Sequence, residues 1–336
     1  MPSTRAKTMA DIARLANVSK PTVSRALSGS PLVSPDTNKH VLAVAREHGY
    51  AVNRNAQKLR HKRTNTIGVS IDFLSHKKNH ISDPFIFELL AGVSEALGNR
   101  NQDLLLCAPN HNDTDAFQQI TASGGADGFI ILGQGHREQM LNEFALSGTP
   151  FVVWGAGADP TPYCVVGSDN FLGGQLSGRY FLEKKRRRFL FVGDTSFREM
   201  YWRQQGLLEA ANESPHAAQV DNVVPNNFSY EAAFDVVNNY LKTVAVPPDA
   251  IFADSDTAAM AVISVLHDLG LKVPKDVAVV GYNDIPPARH FYPPITTIRQ
   301  DTYEAGEMLV DNLMLMLDDR PPHSTTIKTE LVVRDT

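Results

Sequence analysis

Cysteine is nearly absent: Cys107 and Cys164 are the only two in 336 residues, and both sit in apolar runs. That excludes a disulfide-built scaffold and favours buried thiols in a reducing compartment. The start is polar and carries no secretory pattern, and no apolar run approaches the roughly 20 residues that cross a bilayer. The expectation is a cytoplasmic protein with no membrane partner, rather than a secreted receptor. The chain also lacks HExxH, a paired CxxC, a phosphate loop and GxGxxG, and Gly133-Gln134-Gly135 is a lone fragment of little weight. Its 11 histidines are scattered, with His76, His80 and His111 reading as solvated loop residues rather than metal ligands. Neither an enzymatic activity, a metal nor a cofactor finds support.

What is present begins at residues 8–27, TMADIARLANVSKPTVSRAL. Thr8 can cap a helix whose Met9, Ile12, Ala13 and Ala16 share one face, and Asn17 and Val18 make a tight turn. Ser19 caps a second helix with Pro21 in its first turn, where a missing N–H costs nothing, and Val23, Ala26 and Leu27 face back onto the first. Lys20, Thr22, Ser24 and Arg25 are left pointing outward. A third helix over about residues 34–48 buries Val41, Leu42, Val44 and Ala45 and stops before Gly49 and Tyr50. Two capped helices around a tight turn are the layout of a helix-turn-helix reader of DNA.

Charge divides the chain in the same way. Residues 1–65 carry 12 lysines and arginines against 3 acidic residues, net +9, whereas the remaining 271 carry net −14. A basic arm on an acidic body suits phosphate binding by the arm alone, because Lys and Arg displace condensed counterions. A local basic run, KKRRR at 184–188, reads as a solvated turn ahead of a second nucleic-acid patch.

From residue 66 on, short β-branched runs at 67–71, 104–107, 129–132, 151–153, 189–192, 250–252 and 277–280 are separated by helical stretches. Such alternation means parallel sheet, so the fold class is α/β, and about 270 residues suffice for two lobes.

The segments VSKPTVSRALSG, VSPDTNKHVLAVAREHGY and NRNAQKL resemble the LacI family of bacterial transcription regulators. The likeness continues through IGVSI, DPFIFELLAG, DGFIILG, VVGSDNFLGG, the pair Arg203 and Gly206, AIFADSDTAAMAV, GLKVPKDVAVVGYNDI and PPITTIRQD, in the family's order. It covers essentially the whole chain. It implies a head over 1–52, a hinge helix and linker over 53–65, and a body over 66–336 resembling periplasmic sugar-binding proteins. The N-lobe would hold 66–165 and 295–323 and the C-lobe 166–294 and 324–336, with crossings near 165, 294 and 324.

By that resemblance Lys20, Pro21 and Arg25 fall where base edges are met, and Arg25 suits a bidentate contact with guanine. Thr8, Ser19, Thr22, Ser24 and Asn38 would hold phosphates, which positions the head without specifying sequence. Asn53, Ala56, Leu59 and Arg60 would form the hinge helix, too short to be stable alone, with Leu59 wedged in the minor groove and Ala56 small enough for two hinges to meet. A plain linker is the alternative reading of that stretch.

In the cleft, the resemblance implies ligand contacts by Asp83, Phe85, Trp154, Asn170, Arg203, Ser255, Asp256 and Asn283. Aromatic faces at strand ends stack on pyranose rings, and a guanidinium suits hydroxyls or a carboxylate. Phe87 reads as core. Where many relatives carry Asp, the GYND order puts Asn283 first and Asp284 after it, which weakens an acidic contact. The expected protein is a homodimeric repressor that binds a palindromic operator in double-stranded DNA and answers to a small effector, a neutral sugar such as a glucoside or disaccharide. The stop soon after Val333 without a heptad segment argues against coiled-coil tetramers. A purine-responsive regulator of the same family, or a sugar-sensing protein without DNA regulation, are the alternatives.

Overall fold

A computed structural model describes residues 8–27, 30–50, 63–71, 84–107, 114–157, 161–213 and 218–336. The chain divides into two compact units, 1–64 and 65–336.

The first unit holds α1 (Met9–Leu15), α2 (Lys20–Leu27) and α3 (Pro35–Glu47). Each begins where a side chain can accept an orphan N–H. Thr8 Oγ1 accepts from the Asp11 amide at 3.2 Å while an Asp11 oxygen accepts from the Thr8 amide at 3.1 Å, a reciprocal capping box. Ser19 accepts from the Thr22 amide and Ser34 from the Thr37 amide in the same way. Asn17 adopts φ 52°, a left-handed turn residue that asparagine tolerates better than most. Ile12, Val23 and Val41, one from each helix, are fully buried together. Burying such a side chain contributes about 1.5–3 kcal/mol, and so small a unit has few of them.

The second unit contains two parallel sheets. The N-lobe sheet has β1 (Thr66–Ile71), β2 (Asp103–Leu106), β3 (Gly128–Leu132), β4 (Phe151–Trp154), β5 (Cys164–Ser168) and β11 (Thr325–Ile327), in the order β11-β5-β4-β3-β1-β2. The C-lobe sheet has β6 (Arg188–Val192), β7 (Gln219–Val223), β8 (Ala250–Ala253), β9 (Ala278–Asn283), β10 (Thr296–Arg299) and β12 (Glu330–Val332), in the order β12-β10-β9-β8-β6-β7. The two orders are equivalent, and all pairings are parallel except β10 with β12. The central strands are buried on both faces, which is why they read as continuous apolar runs.

Helices α4 (Pro84–Asn99), α5 (Thr114–Ala122), α6 (Glu138–Ala145) and α11 (Thr302–Leu317) cover the first sheet. Helices α7 (Asn170–Glu183), α8 (Arg198–Asn212), α9 (Tyr230–Thr243) and α10 (Asp256–Asp268) cover the second. Two helix pairs meet backbone to backbone. A Cβ on Gly206 of α8 would stand 2.0 Å from the Phe171 carbonyl of α7, and one on Gly92 of α4 would stand 2.3 Å from the Thr302 carbonyl of α11. Glycine is required at both places.

The chain passes between lobes at Asp169, between Arg299 and Thr302, and between Ile327 and Glu330. Each passage comes a few residues later than expected, because β10 pairs with β9 of the C-lobe and β11 with β5 of the N-lobe. The passages are tied together: the Asp169 amide donates to the Ile327 carbonyl at 3.1 Å, and the Ser168 hydroxyl to the Gln300 side chain. The basic run is not simply solvated. Arg186 donates to the carbonyls of Pro274, Lys275 and Asp276, and the Arg187 and Arg188 amides to the Asp249 carboxylate. Both cysteines are buried, and burial pushes each thiol up to about 11, so neither is a reactive thiolate.

Candidate functional site

In the head, Lys20, Pro21 and Arg25 form one exposed surface at the start of α2, while Thr22 and Ser24 are half-buried beside it. Pro21 and Arg25 are one helical turn apart, so their side chains share a face. The residues expected at phosphates divide by their duties. Thr8 and Ser19 are helix caps, each still exposed at a helix N-terminus, where anions are favoured. Asn38 is engaged internally: its Nδ2 donates to the Ala26 carbonyl at 3.1 Å and fixes α3 against the end of α2. Its first duty is thus to hold the two helices, which the spacing of polar residues could not reveal. Asn53, Ala56, Leu59 and Arg60 lie outside the described residues, as does Asp83.

In the body, a cavity opens between the lobes. Its N-lobe wall comes from the carboxyl ends of β1, β3 and β4, with Ile71, Leu132 and Trp154, and from Phe85 on α4. Its C-lobe wall comes from Arg203 and Met200 on α8, Phe228 after β7, Asp254 and Ser255 after β8, and Asn283 at the end of β9. Strand carboxyl ends are where open parallel sheets leave a crevice. Phe85 and Trp154 lie 6.0 Å apart at 47°, and Phe197 and Phe228 5.0 Å apart at 61°, so each lobe offers an aromatic pair.

Arg203 is the polar centre of this wall. Its guanidinium carbon lies 3.5 Å from the centroid of Tyr282, Nε donates to Asn170 at 2.8 Å, and Nη1 to the Asp254 carbonyl at 2.6 Å. Two hydrogen bonds and an aromatic platform hold the fork in one plane, so little entropy is lost when it meets a ligand. Burial raises the Tyr282 hydroxyl pKa, opposed by the nearby Arg203 charge. Asn283 sits at φ 108° with its Oδ1 accepting from Gln300 Nε2 at 2.6 Å. Since Gln300 also bonds Ser168, a buried hydrogen-bond chain runs from the lobe passages to the cavity wall.

Two expected contacts lie elsewhere. Asn170 is buried behind Arg203 and orients it, because its short amide reaches the guanidinium and the Ser168 carbonyl instead of the cavity. Asp256 is fully buried, accepting from the Thr297 hydroxyl at 2.5 Å and the Ile285 amide at 2.8 Å, and stitches α10 to the sheet. Asp284, next to Asn283, is consumed by Arg299 and Arg334. Phe87, read as core, is 51% exposed. Conversely, Gly133, Gln134 and Gly135, set aside as a stray fragment, border the cavity, with the two glycines at φ 92° and 53°. Phe197, Phe228 and Asp254 were not anticipated either.

The lobes touch at the cavity mouth. Arg198 of α8 donates to both oxygens of Glu138 at 3.0 and 3.2 Å, and the rings of His136 and Phe197 lie 4.2 Å apart.

Comparison with known proteins bears on both units. Residues 8–53 match the family described as bacterial regulatory proteins, lacI family, and residues 179–336 match a periplasmic binding protein-like domain. The HTH-type transcriptional repressor PurR of Yersinia enterocolitica is 30% identical over 339 residues, spanning 97% of this chain and 96% of the relative. The chain belongs to the LacI family. Like its relatives, this LacI-family protein is a DNA-binding transcription regulator and not an enzyme. Among solved structures, a transcriptional regulator CelR–cellobiose complex is 29% identical, with TM-score 0.69, over 98% of this chain and 99% of that one. A lac repressor dimer bound to operator and the anti-inducer ONPF shares the fold, with TM-score 0.83 at 22% identity over 98% of each chain. Among the described residues, no helix is long and apolar enough to cross a membrane.

Proposed function

We propose that this LacI-family protein is a cytoplasmic homodimeric repressor whose hold on a palindromic operator is set by a neutral sugar in the inter-lobe cavity. The observation that carries the sugar reading is Arg203 locked flat on Tyr282 at the strand ends, among aromatic faces from both lobes. Aromatic faces cover the apolar face of a sugar ring, and Arg203, Ser255 and Asn283 supply polar atoms for its hydroxyls. The cellobiose carried by the CelR structure is consistent with this chemistry.

In the head, Arg25 reads guanine, Lys20 and Pro21 complete the base contacts, and Thr8, Ser19, Thr22 and Ser24 meet phosphates. One head makes too few contacts for genomic specificity, so two are needed, one per half-site. The edge strand β2 presents Leu105 and Leu106 at 37% and 49% exposure, an apolar edge suited to the partner copy. The hinge that the resemblance implies, with Asn53, Ala56, Leu59 and Arg60, lies outside the described residues. Effector binding changes the angle between lobes, and thereby the separation of the two hinges, so that both sites share one equilibrium.

The test is capture of fragmented source-genome DNA by the full chain, followed by displacement with a sugar panel. A retained short palindrome, released or held by one sugar, supports the proposal; retention of random fragments overturns the operator reading. The four aromatics also suit a flat nucleobase, and displacement by a purine but no sugar would replace the effector named here.

A further inference from the structure

Outside the aromatic cavity lies a second chamber, open to solvent, and the two share Gln134 and Gly135 as a common wall. We infer that this outer chamber holds the second ring of a two-ring neutral glycoside whose first ring occupies the inner cavity. The inference rests on the sugar reading of that cavity.

Three observations carry it. Tyr201 and Trp202 line the outer chamber at 43% and 40% exposure, with their rings 5.2 Å apart at 73°. Trp202 is braced edge-on by Phe171 at 6.2 Å, so its indole is a fixed platform and not a loose surface group. Both precede Arg203 on α8, which places the outer platform and the inner polar anchor on one rigid element.

Charge selects against an anion. Arg198 lines the chamber but is already paired with Glu138, so a phosphorylated sugar would have to break that pair, whereas an uncharged ring need not.

Isothermal titration of the full chain with matched pairs, glucose with cellobiose and galactose with lactose, and with glucose 6-phosphate, tests this. One disaccharide should bind about tenfold more tightly than its own terminal monosaccharide, the effect of a single well-stacked ring. In Trp202→Ala that ratio should fall toward one, and Trp202→Phe should keep part of it. Equal affinities in the native protein, a ratio unmoved in Trp202→Ala, or tighter binding of the sugar phosphate would overturn the outer chamber alone. Binding of none of the five would overturn the sugar reading itself, and this inference with it.

Discussion

Arg203 stacks on Tyr282, guanidinium carbon 3.5 Å from the ring centroid, so the arginine that lines the cavity rests on a buried ring. Tyr282 is fully buried and fixed by its strand, so the sheet and the helix that carries Arg203 together set where the guanidinium lies.

Substituting Arg203→Lys should therefore cost more than a change of shape. Lysine has no planar fork to span Asn170 and the Asp254 carbonyl, and effector affinity should drop about 10–100-fold. The shift in operator affinity on adding effector, measured by fluorescence anisotropy, should shrink accordingly.

For Arg25→Ala, the expected loss is about 1–3 kcal/mol on the specific operator and little on random DNA. Binding to both measured across a salt series separates the two roles. Equal losses, with a shallower salt slope, would make Arg25 a phosphate contact.

Gly206→Ala should destabilise the body by about 1–3 kcal/mol or more, because the new methyl meets the Phe171 carbonyl at 2.0 Å and backbone cannot yield as a side chain does. A lowered denaturation midpoint in the unliganded protein would register it. Effector affinity should fall as well, since the helix that would be pushed outward carries Arg203.

Stability should decline with rising pH through Asp256. Burial lifts its pKa from 3.8 to about 8, so the folded state retains a proton that the unfolded chain releases. The contribution is whole below about pH 4 and is lost as the pH climbs to about 8. Urea denaturation at intervals across that window should show the slope, and Asp256→Asn, neutral throughout, should flatten it.

Much of this molecule was legible from residue order. Caps at Thr8, Ser19 and Ser34 and the stop at Gly49 locate the head helices because these signals act within one turn of the chain. Seven of the sheet strands stand out as apolar runs, six of them central strands buried on two faces and the seventh, β2, an edge strand with exposed leucines. β7, reading QVDNV, does not, since Asp and Asn interrupt it where the edge strand β2 carries leucines. In the cleft, the resemblance pointed to Phe85, Trp154, Arg203, Ser255 and Asn283, all of which border the cavity. Asn170 and Asp256 were misread for one reason: a polar residue beside a strand end can turn outward or inward, and only the packed neighbour decides. Gly133-Gln134-Gly135 escaped because its value lies in positive φ and in contact across lobes, neither of which is written in spacing.

The interleaving of the lobes also governs the order in which the protein is made. Helix α11 packs on α4 and on β3, β4 and β5, yet its residues leave the ribosome after nearly the whole C-lobe. Throughout that interval the face of the N-lobe sheet that holds Ile130 and Val152 has α4 against it but lacks α11. A nascent chain in that condition invites association with its neighbours, so the yield of this regulator will depend on how quickly translation reaches residue 317 and on what shields the sheet until then.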